Sequence, residues 1–279
     1  MPRTSAILRP DLGALAYEYS MNAAKQGFIG SLVLPPFYTQ LKSAQYPVIP
    51  AEAILEVADT RRAARSAYAR GDWEFVMEDY SCTENGWEEP LDDTEAEHFR
   101  NYFDAETVAV ERATSIVLRS MESRVAKKVM DTKVFTNAAA KAAWNSYGSA
   151  DPLADVSAGK ATFRHTVGLQ PNALIMDKDV FDHISLCEAV IERVKYTSPN
   201  AIRGALTVEQ LKAYFGVEHL LVAGAVYNSS AKKQTKKIES VWPVDKVMLA
   251  CISSGGNDLV NSLYTLPLSL KLFAGLLIG

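Results

Sequence analysis

The chain has 279 residues, of which 48% are hydrophobic, so it can bury the core of one large domain or two medium ones. Its net charge of −4 conceals a segregated distribution, because residues 71–99 carry eleven Asp and Glu and no Lys or Arg, which leaves +7 for the rest. Three widely spaced cysteines and an N-terminal stretch without a continuous apolar segment argue against a disulfide framework and a secretory signal, and predict a cytoplasmic protein.

The first predicted element is an amphipathic helix over residues 10–26, where Leu12 and Leu15 lie at helical spacing and Gly27 occupies the position of a C-terminal cap. From residue 31 to 90 the helical period disappears and Pro and Gly punctuate the sequence, which predicts about sixty residues of extended chain. Such an excursion has too little core of its own and gains stability by lying on a neighbouring chain.

Within this excursion, DWEFVM predicts a strand with Trp73, Phe75 and Met77 on its packing face. The basic stretch RRAARSAYAR lies just upstream of the acidic one. The two stretches are either strands of a self-paired hairpin or complementary surfaces that meet when copies assemble side by side, and the length of the excursion favours the second interpretation. The candidate inter-subunit contact residues are Arg61, Arg62, Arg65, Arg70, Asp72, Trp73, Glu74, Phe75 and Glu78.

A long helix is predicted next. Thr94 and Glu97 fit a capping box, and apolar residues then recur at steps of four or seven without Pro or Gly as far as Met130. An unbroken helix of about 37 residues would be about 55 Å long and would form the spine of an elongated domain.

The remainder is predicted to be mixed α/β. VSAGKATFRHTVG and DKDVFDHISLCEAVIERV indicate helices, whereas PNALIM, HLLVAGAV and KVMLACIS indicate strands. Thr207 and Gln210 match a second capping box, for a helix that ends near Gly216. A loop with four lysines, NSSAKKQTKKIES, connects the last two strands.

Motifs for catalysis, cofactors and metals are missing from the sequence. Gly159 and Lys160 fail the phosphate-loop pattern at both ends, and the four histidines are isolated from one another. Asp72 and Glu74, about 7 Å apart on one strand face, are the best enzyme candidates, since such a pair suits an inverting glycosidase. However, a cluster of eleven acids is typical of a solvated surface, so we predict no catalytic, cofactor-binding or metal site.

The order of parts resembles the major capsid proteins of tailed bacteriophages with the Hong Kong 97-type fold. The resemblance is also local, in RPDLGALAYEY, YPVIP, DTRRAARSAYARGDWEF, NGWEEPLDD, YFDAETVAVERAT, PNALIM, YFGVEHLLVAGAV and SSGGNDL, and it covers about residues 9–258. It implies an α+β fold with an N-terminal arm (1–36), an extended β-hairpin loop (37–91), a long spine helix in a peripheral domain (92–134), an α/β axial domain (135–250) and a return to the peripheral domain (251–279).

The function implied by this resemblance is to form hexamers and pentamers of an icosahedral shell around double-stranded DNA. Such a protein is not an enzyme and binds no cofactor. Its partners would be other copies of itself, scaffolding, portal and decoration proteins, and the packaged DNA through non-specific contacts. It would reside in the virion, assemble in the bacterial host cytoplasm and contact no membrane.

The segment VNSLYTLPLSLKLFAGLLIG departs from the family pattern, which continues for several dozen residues after SSGG. We therefore expect a truncated or frameshifted end, as in a decaying prophage. Two alternatives to the phage capsid stay open at this point. One is the shell of an encapsulin-like compartment, which shares the fold, and the other is a carbohydrate-active enzyme that uses the acidic segment 72–97.

Overall fold

The computed structural model describes residues 10–36, 38–48, 57–71, 76–135, 137–197, 206–231, 233–252 and 276–278. The N-terminal helix is confirmed as α1 (Pro10–Met21), followed by a short 3₁₀ helix (Ala23–Gln26) and by α2 (Gly30–Val33). Gly27 adopts a φ of 84°, the left-handed conformation that favours glycine. This turn redirects the chain from α1 into the core.

The extended segment contains a two-stranded antiparallel sheet. Strand β1 (Ser43–Val48) pairs with β2 (Val76–Ser81) in a register that runs from Ser43 opposite Ser81 to Val48 opposite Val76. The sheet has only two strands, so both are edge strands, and Pro47 is tolerated in β1 although it donates no hydrogen bond. The predicted strand at residues 72–77 is therefore partly observed, while residues 72–75 lie outside the described part of the chain.

The spine is two helices, so the prediction of one unbroken helix is wrong. Helix α3 (Asp93–Phe99) begins at Asp92, whose carboxylate accepts from Thr94 N, and α4 (Ala105–Val129) begins at Asp104, whose carboxylate accepts from Glu106 N. At each of these two positions a new helix begins, because the short acidic side chain accepts a hydrogen bond from a backbone N–H that has no partner within the helix. The 25 residues of α4 span about 37 Å.

A five-stranded mixed sheet forms the centre of the second half. Its strand order is β3 (Asn137–Ala138), β9 (Leu276–Ile278), β8 (Val247–Ala250), β4 (Ala173–Asp177) and β5 (His219–Ala223). β4 is parallel to β5 and antiparallel to β8, while β9 is antiparallel to β8 and parallel to β3.

Four helices accompany this sheet, namely α5 (Pro152–Val167), α6 (Lys178–Leu186), α7 (Glu188–Thr197) and α8 (Val208–Phe215). The single helix predicted for DKDVFDHISLCEAVIERV is two helices that meet at Cys187, where the backbone is extended. The predicted capping box of α8 is confirmed in both directions, and Gly216 closes that helix in the left-handed conformation.

Successive side chains of the central strands point to opposite faces of the sheet and so contribute to two separate hydrophobic cores. Leu174 and Met176 of β4 face a core shared with α6, α7 and α8, whereas Ala173 and Ile175 face a second core. That second core contains Ile29 and Val33 of the N-terminal segment, the C-terminal half of α4 and Trp242. One sheet therefore holds the spine and the N-terminal segment on one side and the remaining helices on the other.

The predicted strand HLLVAGAV is divided between β5 and β6 (Val226–Asn228), which pairs with β7 (Ile238–Ser240) as a separate hairpin. Its turn contains the lysine-rich sequence noted above. None of the helices in the described ranges is both long and apolar enough to cross a membrane.

Candidate assembly surface

The β1–β2 hairpin stands on cross-strand pairs. The hydroxyl of Tyr46 donates to Glu78 Oε2 at 3.2 Å, and the Tyr46 and Tyr80 rings lie 6.3 Å apart. Partial burial and the neighbouring Glu78 carboxylate both raise the pKa of Tyr46. The prediction that Met77 lies on the packing face of the strand is wrong, since its side chain is 55% exposed. The half-buried residues of β2 are Glu78 and Tyr80.

The basic part of the hairpin loop, residues 57–71, is exposed throughout and contains no helix or strand. A turn closes at Ser66 N, which donates to Ala63 O, and places Arg65 at a φ of 65°. The Arg62 guanidinium lies 4.3 Å from the centroid of the Tyr68 ring, a cation–π contact. The loop therefore presents its charges to solvent.

The residues predicted to make inter-subunit contacts lie in two places. The exposed loop contains Arg61, Arg62, Arg65 and Arg70, and β2 contains Glu78. The described hydrogen bond of Glu78 is the one it accepts from the Tyr46 hydroxyl in β1. The remaining candidates lie outside the described residues, namely Asp72, Trp73, Glu74 and Phe75.

The acidic segment after β2 runs along the spine. Arg124 Nη1 donates to Asn85 Oδ1 at 2.7 Å, and Arg112 Nη1 lies 3.0 Å from Glu89 Oε1. Asn85 and Glu89 are four residues apart, whereas their partners Arg124 and Arg112 are twelve apart in α4. The segment is therefore extended. Because the order of the two contacts is reversed, it runs antiparallel to the helix. Within the chain, Glu89 is neutralised by a spine arginine instead of the loop arginines.

The sequence did not predict a buried carboxylate that three backbone and side-chain N–H groups bind. Glu122 of α4 is 2% exposed and accepts from Ile29 N at 2.9 Å, Gly30 N at 2.7 Å and Trp242 Nε1 at 2.6 Å. A Cβ at Gly30 would lie 2.6 Å from Glu122 Oε2, so a side chain at this position would displace the carboxylate. The carboxylate thereby joins the N-terminal segment, the spine and the segment between β7 and β8 that contains Trp242. Its signal in the sequence was a glutamate on the apolar stripe of α4, three and seven residues before Val125 and Val129.

A cavity of about 410 Å³ lies beside α6 and the start of β8 and is lined by Trp144, His183 and Lys246, among other residues. The His183 Nδ1 lies within hydrogen-bond distance of the Tyr147 hydroxyl, at 3.0 Å. Across the ranges that the structure describes, no group of three or more His, Cys, Asp or Glu side chains could hold a metal ion. The cavity therefore offers aromatic and apolar contacts together with the charged side chains of Asp179, Asp245 and Lys246.

The chain is similar to proteins of phage origin. No protein-family profile matches it. It is 26% identical over 248 residues to the major capsid protein of Burkholderia phage BcepMu, covering 87% of this chain and 76% of that protein.

Two solved structures match most of the chain. A phage-related protein from Bordetella bronchiseptica RB50 matches with a TM-score of 0.61 and 21% identity, over 90% of this chain and 80% of that one. The virus-like particle from Pyrococcus furiosus matches with a TM-score of 0.48 and 12% identity, over 88% of this chain and 78% of that one. The chain thus has a mixed helix-and-sheet fold that it shares with a phage-related protein, and its predicted resemblance to a phage major capsid protein is confirmed.

Proposed function

We propose that the chain is the major capsid protein of a tailed phage or prophage, and that its copies assemble into hexamers and pentamers of an icosahedral shell around double-stranded DNA. The observation that carries the proposal is the 26% identity to the BcepMu major capsid protein, which extends over 87% of the chain. Similarity over this length supports a common role for the whole chain instead of one shared segment.

The proposal includes the Hong Kong 97-type assignment of parts. Residues 1–36 form the N-terminal arm, 37–91 the extension loop, 92–134 the spine of the peripheral domain, 135–250 the axial domain, and 251–279 the return to the peripheral domain. The described strand of this last range, β9, instead pairs with β3 and β8 in the five-stranded sheet. The hairpin of β1 and β2 supports the second range, and α3 with α4 supports the third. The sheet that contains β4, β5 and β8 supports the fourth.

The role is structural and not catalytic, as the name of the BcepMu relative suggests. The principal partner is a second copy of the chain, and scaffolding, portal and decoration proteins would bind the growing or finished shell in the host cytoplasm. Packaged DNA would be met by non-specific contacts, for which the lysine-rich turn between β6 and β7 offers positive charge. The final location is the virion.

Electron microscopy of the purified protein, with sedimentation velocity alongside, tests the proposal. We expect closed shells, or capsomers that sediment as rings of five or six copies. A protein that stays monomeric at every accessible concentration and salt would contradict the proposal. Shells that enclose an enzyme cargo in place of nucleic acid would also contradict it, because they would identify a compartment.

A further inference from the structure

The segment that connects β2 to α3, residues 82–92, contains the dipeptide Asn85–Gly86. Asn85 is the one asparagine in the chain that a glycine follows. The carboxamide of an asparagine lies within reach of the backbone nitrogen of the next residue, which can attack its Cγ. A glycine hinders this attack least, because it has no Cβ and its backbone turns freely. The dipeptide is therefore a candidate for deamidation, the loss of the side-chain amide as ammonia.

The backbone nitrogen of Gly86 is available for this attack. Asn85 and Gly86 are exposed and lie outside helix and strand, and within the described ranges the Gly86 N–H makes no hydrogen bond. By contrast, the backbone nitrogens that follow Asn145 and Asn228 donate hydrogen bonds to backbone carbonyls at 2.8 Å and 2.9 Å. A nitrogen that is held in a turn or a strand pair must first leave its acceptor. The structure thus distinguishes Asn85 from both of these asparagines.

The side chain of Asn85 lies against a cation of the spine. Arg124 Nη1 donates to Asn85 Oδ1 at 2.7 Å and to Ser120 Oγ, one turn earlier in α4, at 3.2 Å. The amide nitrogen of Asn85, which would leave as ammonia, donates to Thr83 O at 3.1 Å. Attack on Cγ turns Oδ1 into an oxyanion, and a guanidinium already bound to that oxygen stabilises its charge. Because the contact is open to water, this stabilisation is screened and modest.

We propose that Asn85 is a site of spontaneous deamidation in the folded protein, and that the aspartate it becomes forms an ion pair with Arg124. In the first step the Gly86 nitrogen loses its proton and bonds to Asn85 Cγ. The Cγ–Nδ2 bond then breaks, and the amide nitrogen leaves with one added proton as ammonia, which yields a cyclic succinimide. Water opens the ring at either carbonyl, to aspartate or to isoaspartate. Nothing is oxidised or reduced, and water is the co-reactant.

The aspartate product changes how the connecting segment is held on α4. It places a charged oxygen where the Arg124 guanidinium now meets a neutral amide, and hydrogen bonds between two charged groups are the stronger ones. The segment already has one such contact, between Glu89 Oε1 and Arg112 Nη1 at 3.0 Å. Deamidation therefore adds a second ion pair and fixes the segment more firmly to the spine. The inference concerns a single chain and does not depend on the proposed assembly function.

Peptide mapping by mass spectrometry tests the modification on the unassembled protein, kept for several weeks in neutral buffer made with water enriched in heavy oxygen. We expect position 85 to lose its amide and to gain one heavy oxygen, while Asn145 and Asn228 keep their amides. Gly86→Ala should slow the conversion at least about tenfold, because a Cβ restricts the approach of the nitrogen. Alanine fits there, since an added Cβ meets nothing within 4 Å and Gly86 is not left-handed. An intact Asn85, or equal conversion at all three asparagines, would overturn the proposal.

Arg124→Gln tests the part assigned to the guanidinium. We expect this variant to convert position 85 about threefold more slowly than the wild type, because the developing oxyanion loses its charged donor. The matched control is Arg112→Gln, which removes another described contact between the connecting segment and α4. Its rate should stay within about twofold of the wild type. Conversion in Arg124→Gln as fast as in the control would overturn the role of Arg124 in the reaction.

Asn85→Asp reproduces the product and tests the ion pair. A glutamate-specific protease should cleave after the exposed Glu88 about threefold more slowly in Asn85→Asp than in freshly purified wild type, because the segment must leave the spine to be cut. The difference should vanish in an Arg124→Gln background, where the new carboxylate has lost its cation. Equal cleavage of Asn85→Asp and wild type, or a difference that persists in that background, would overturn the ion pair.

Discussion

A buried carboxylate is stable only where donors replace the water that it has lost. The described partners of Glu122 are three neutral N–H groups, contributed by Ile29, Gly30 and Trp242. Hydrogen bonds to a charged group stabilise a fold more than neutral ones do, and a buried donor left without a partner costs more than the net contribution of its bond. Glu122 is therefore expected to decide whether the N-terminal segment stays docked on the spine.

We predict that Glu122→Gln lowers the free energy of unfolding by about 2–3 kcal/mol, because the amide nitrogen of Gln must face one of the three donors. Urea denaturation of the unassembled protein, followed by tryptophan fluorescence, measures the change. The control is Glu111→Gln on the same helix, a partly exposed glutamate with no hydrogen bond in the described ranges. If the two variants were equally stable, the three hydrogen bonds to Glu122 would make no net contribution to the free energy of unfolding.

A second buried carboxylate gives the fold a pH dependence. Asp177 is 1% exposed, and its Oδ1 accepts from Asp179 N at 3.0 Å while its Oδ2 has no described partner. Burial raises the pKa of Asp177 above its ordinary value of 3.8, against the opposing effect of the bond from Asp179 N. The folded state therefore keeps the proton to a higher pH than the unfolded state, so the stability contributed by Asp177 is complete below pH 3.8 and is lost as the pH rises through the folded pKa.

We predict that Asp177→Asn, which retains an oxygen to cap α6 but cannot ionise, gains stability relative to the wild type as the pH rises above 3.8. Free energies of unfolding measured between acidic and neutral pH would reveal the widening difference, and it should vanish at the acidic end. Asp245 is exposed, so the free energy of unfolding of the Asp245→Asn control should change with pH in the same way as that of the wild type. A difference between Asp177→Asn and the wild type that did not change with pH would contradict the prediction.

At the scale of elements, the structures that the sequence predicted well are those with local causes. The capping box of α8 needs only Thr207 and Gln210, three residues apart, the helix α5 is closed by Gly168, and β4 follows from a short apolar run after Pro171. The break before α4 was missed because neither Pro nor Gly marks it. Its signal was Asp104, whose carboxylate also accepts from the Thr107 hydroxyl.

Other features could not be predicted because their causes are distant in sequence. Glu122 meets Ile29 and Trp242, which lie 93 and 120 residues away, and no pattern within α4 encodes those partners. The pairing of Glu89 with Arg112 likewise depends on the direction in which the acidic segment crosses the spine. Charge composition predicted that residues 71–99 form a contact surface, but it could not identify which cations they meet.

A close backbone approach also holds the N-terminal segment on the sheet. Gly27 has a φ of 84°, its carbonyl accepts from Gly224 N at 3.0 Å, and a Cβ at Gly27 would lie 2.7 Å from the Gly224 backbone. We predict that Gly27→Ala lowers the free energy of unfolding by at least about 2 kcal/mol, because the left-handed conformation and the clash both oppose a side chain. Chemical denaturation measures the effect.

The matched control is Gly13→Ala in α1, where an added Cβ would meet nothing within 4 Å. Alanine at this site should raise helix stability by as much as about 1 kcal/mol. The two substitutions add the same methyl group to the same segment, so opposite signs would locate the effect at the Gly27 turn. A loss of stability in both variants would instead show that the segment tolerates no change.

On the scale of the whole molecule, the described chain divides into a packed body and an arm. The two hydrophobic cores hold the N-terminal segment, α4 and the five-stranded sheet, and neither includes a residue of β1 or β2. A two-stranded sheet alone is marginally stable in water, so the arm gains most from contact with another copy. A monomer in solution should therefore combine a stable body with an arm whose loop is open to proteases.

We predict that trypsin cleaves the unassembled protein first after Arg61, Arg62, Arg65 or Arg70, since all four lie in an exposed loop without helix or strand. In assembled particles the same bonds should be cut at least about tenfold more slowly, because docking on a neighbour removes the loop from the protease. Mass spectrometry of timed digests identifies the bonds, and the exposed Lys233 and Lys236, in the turn of the second hairpin, provide an internal comparison. Cleavage after the four arginines at the same rate in both states would mean that the loop stays free in the shell, and the arm would then contribute to assembly through its strands alone.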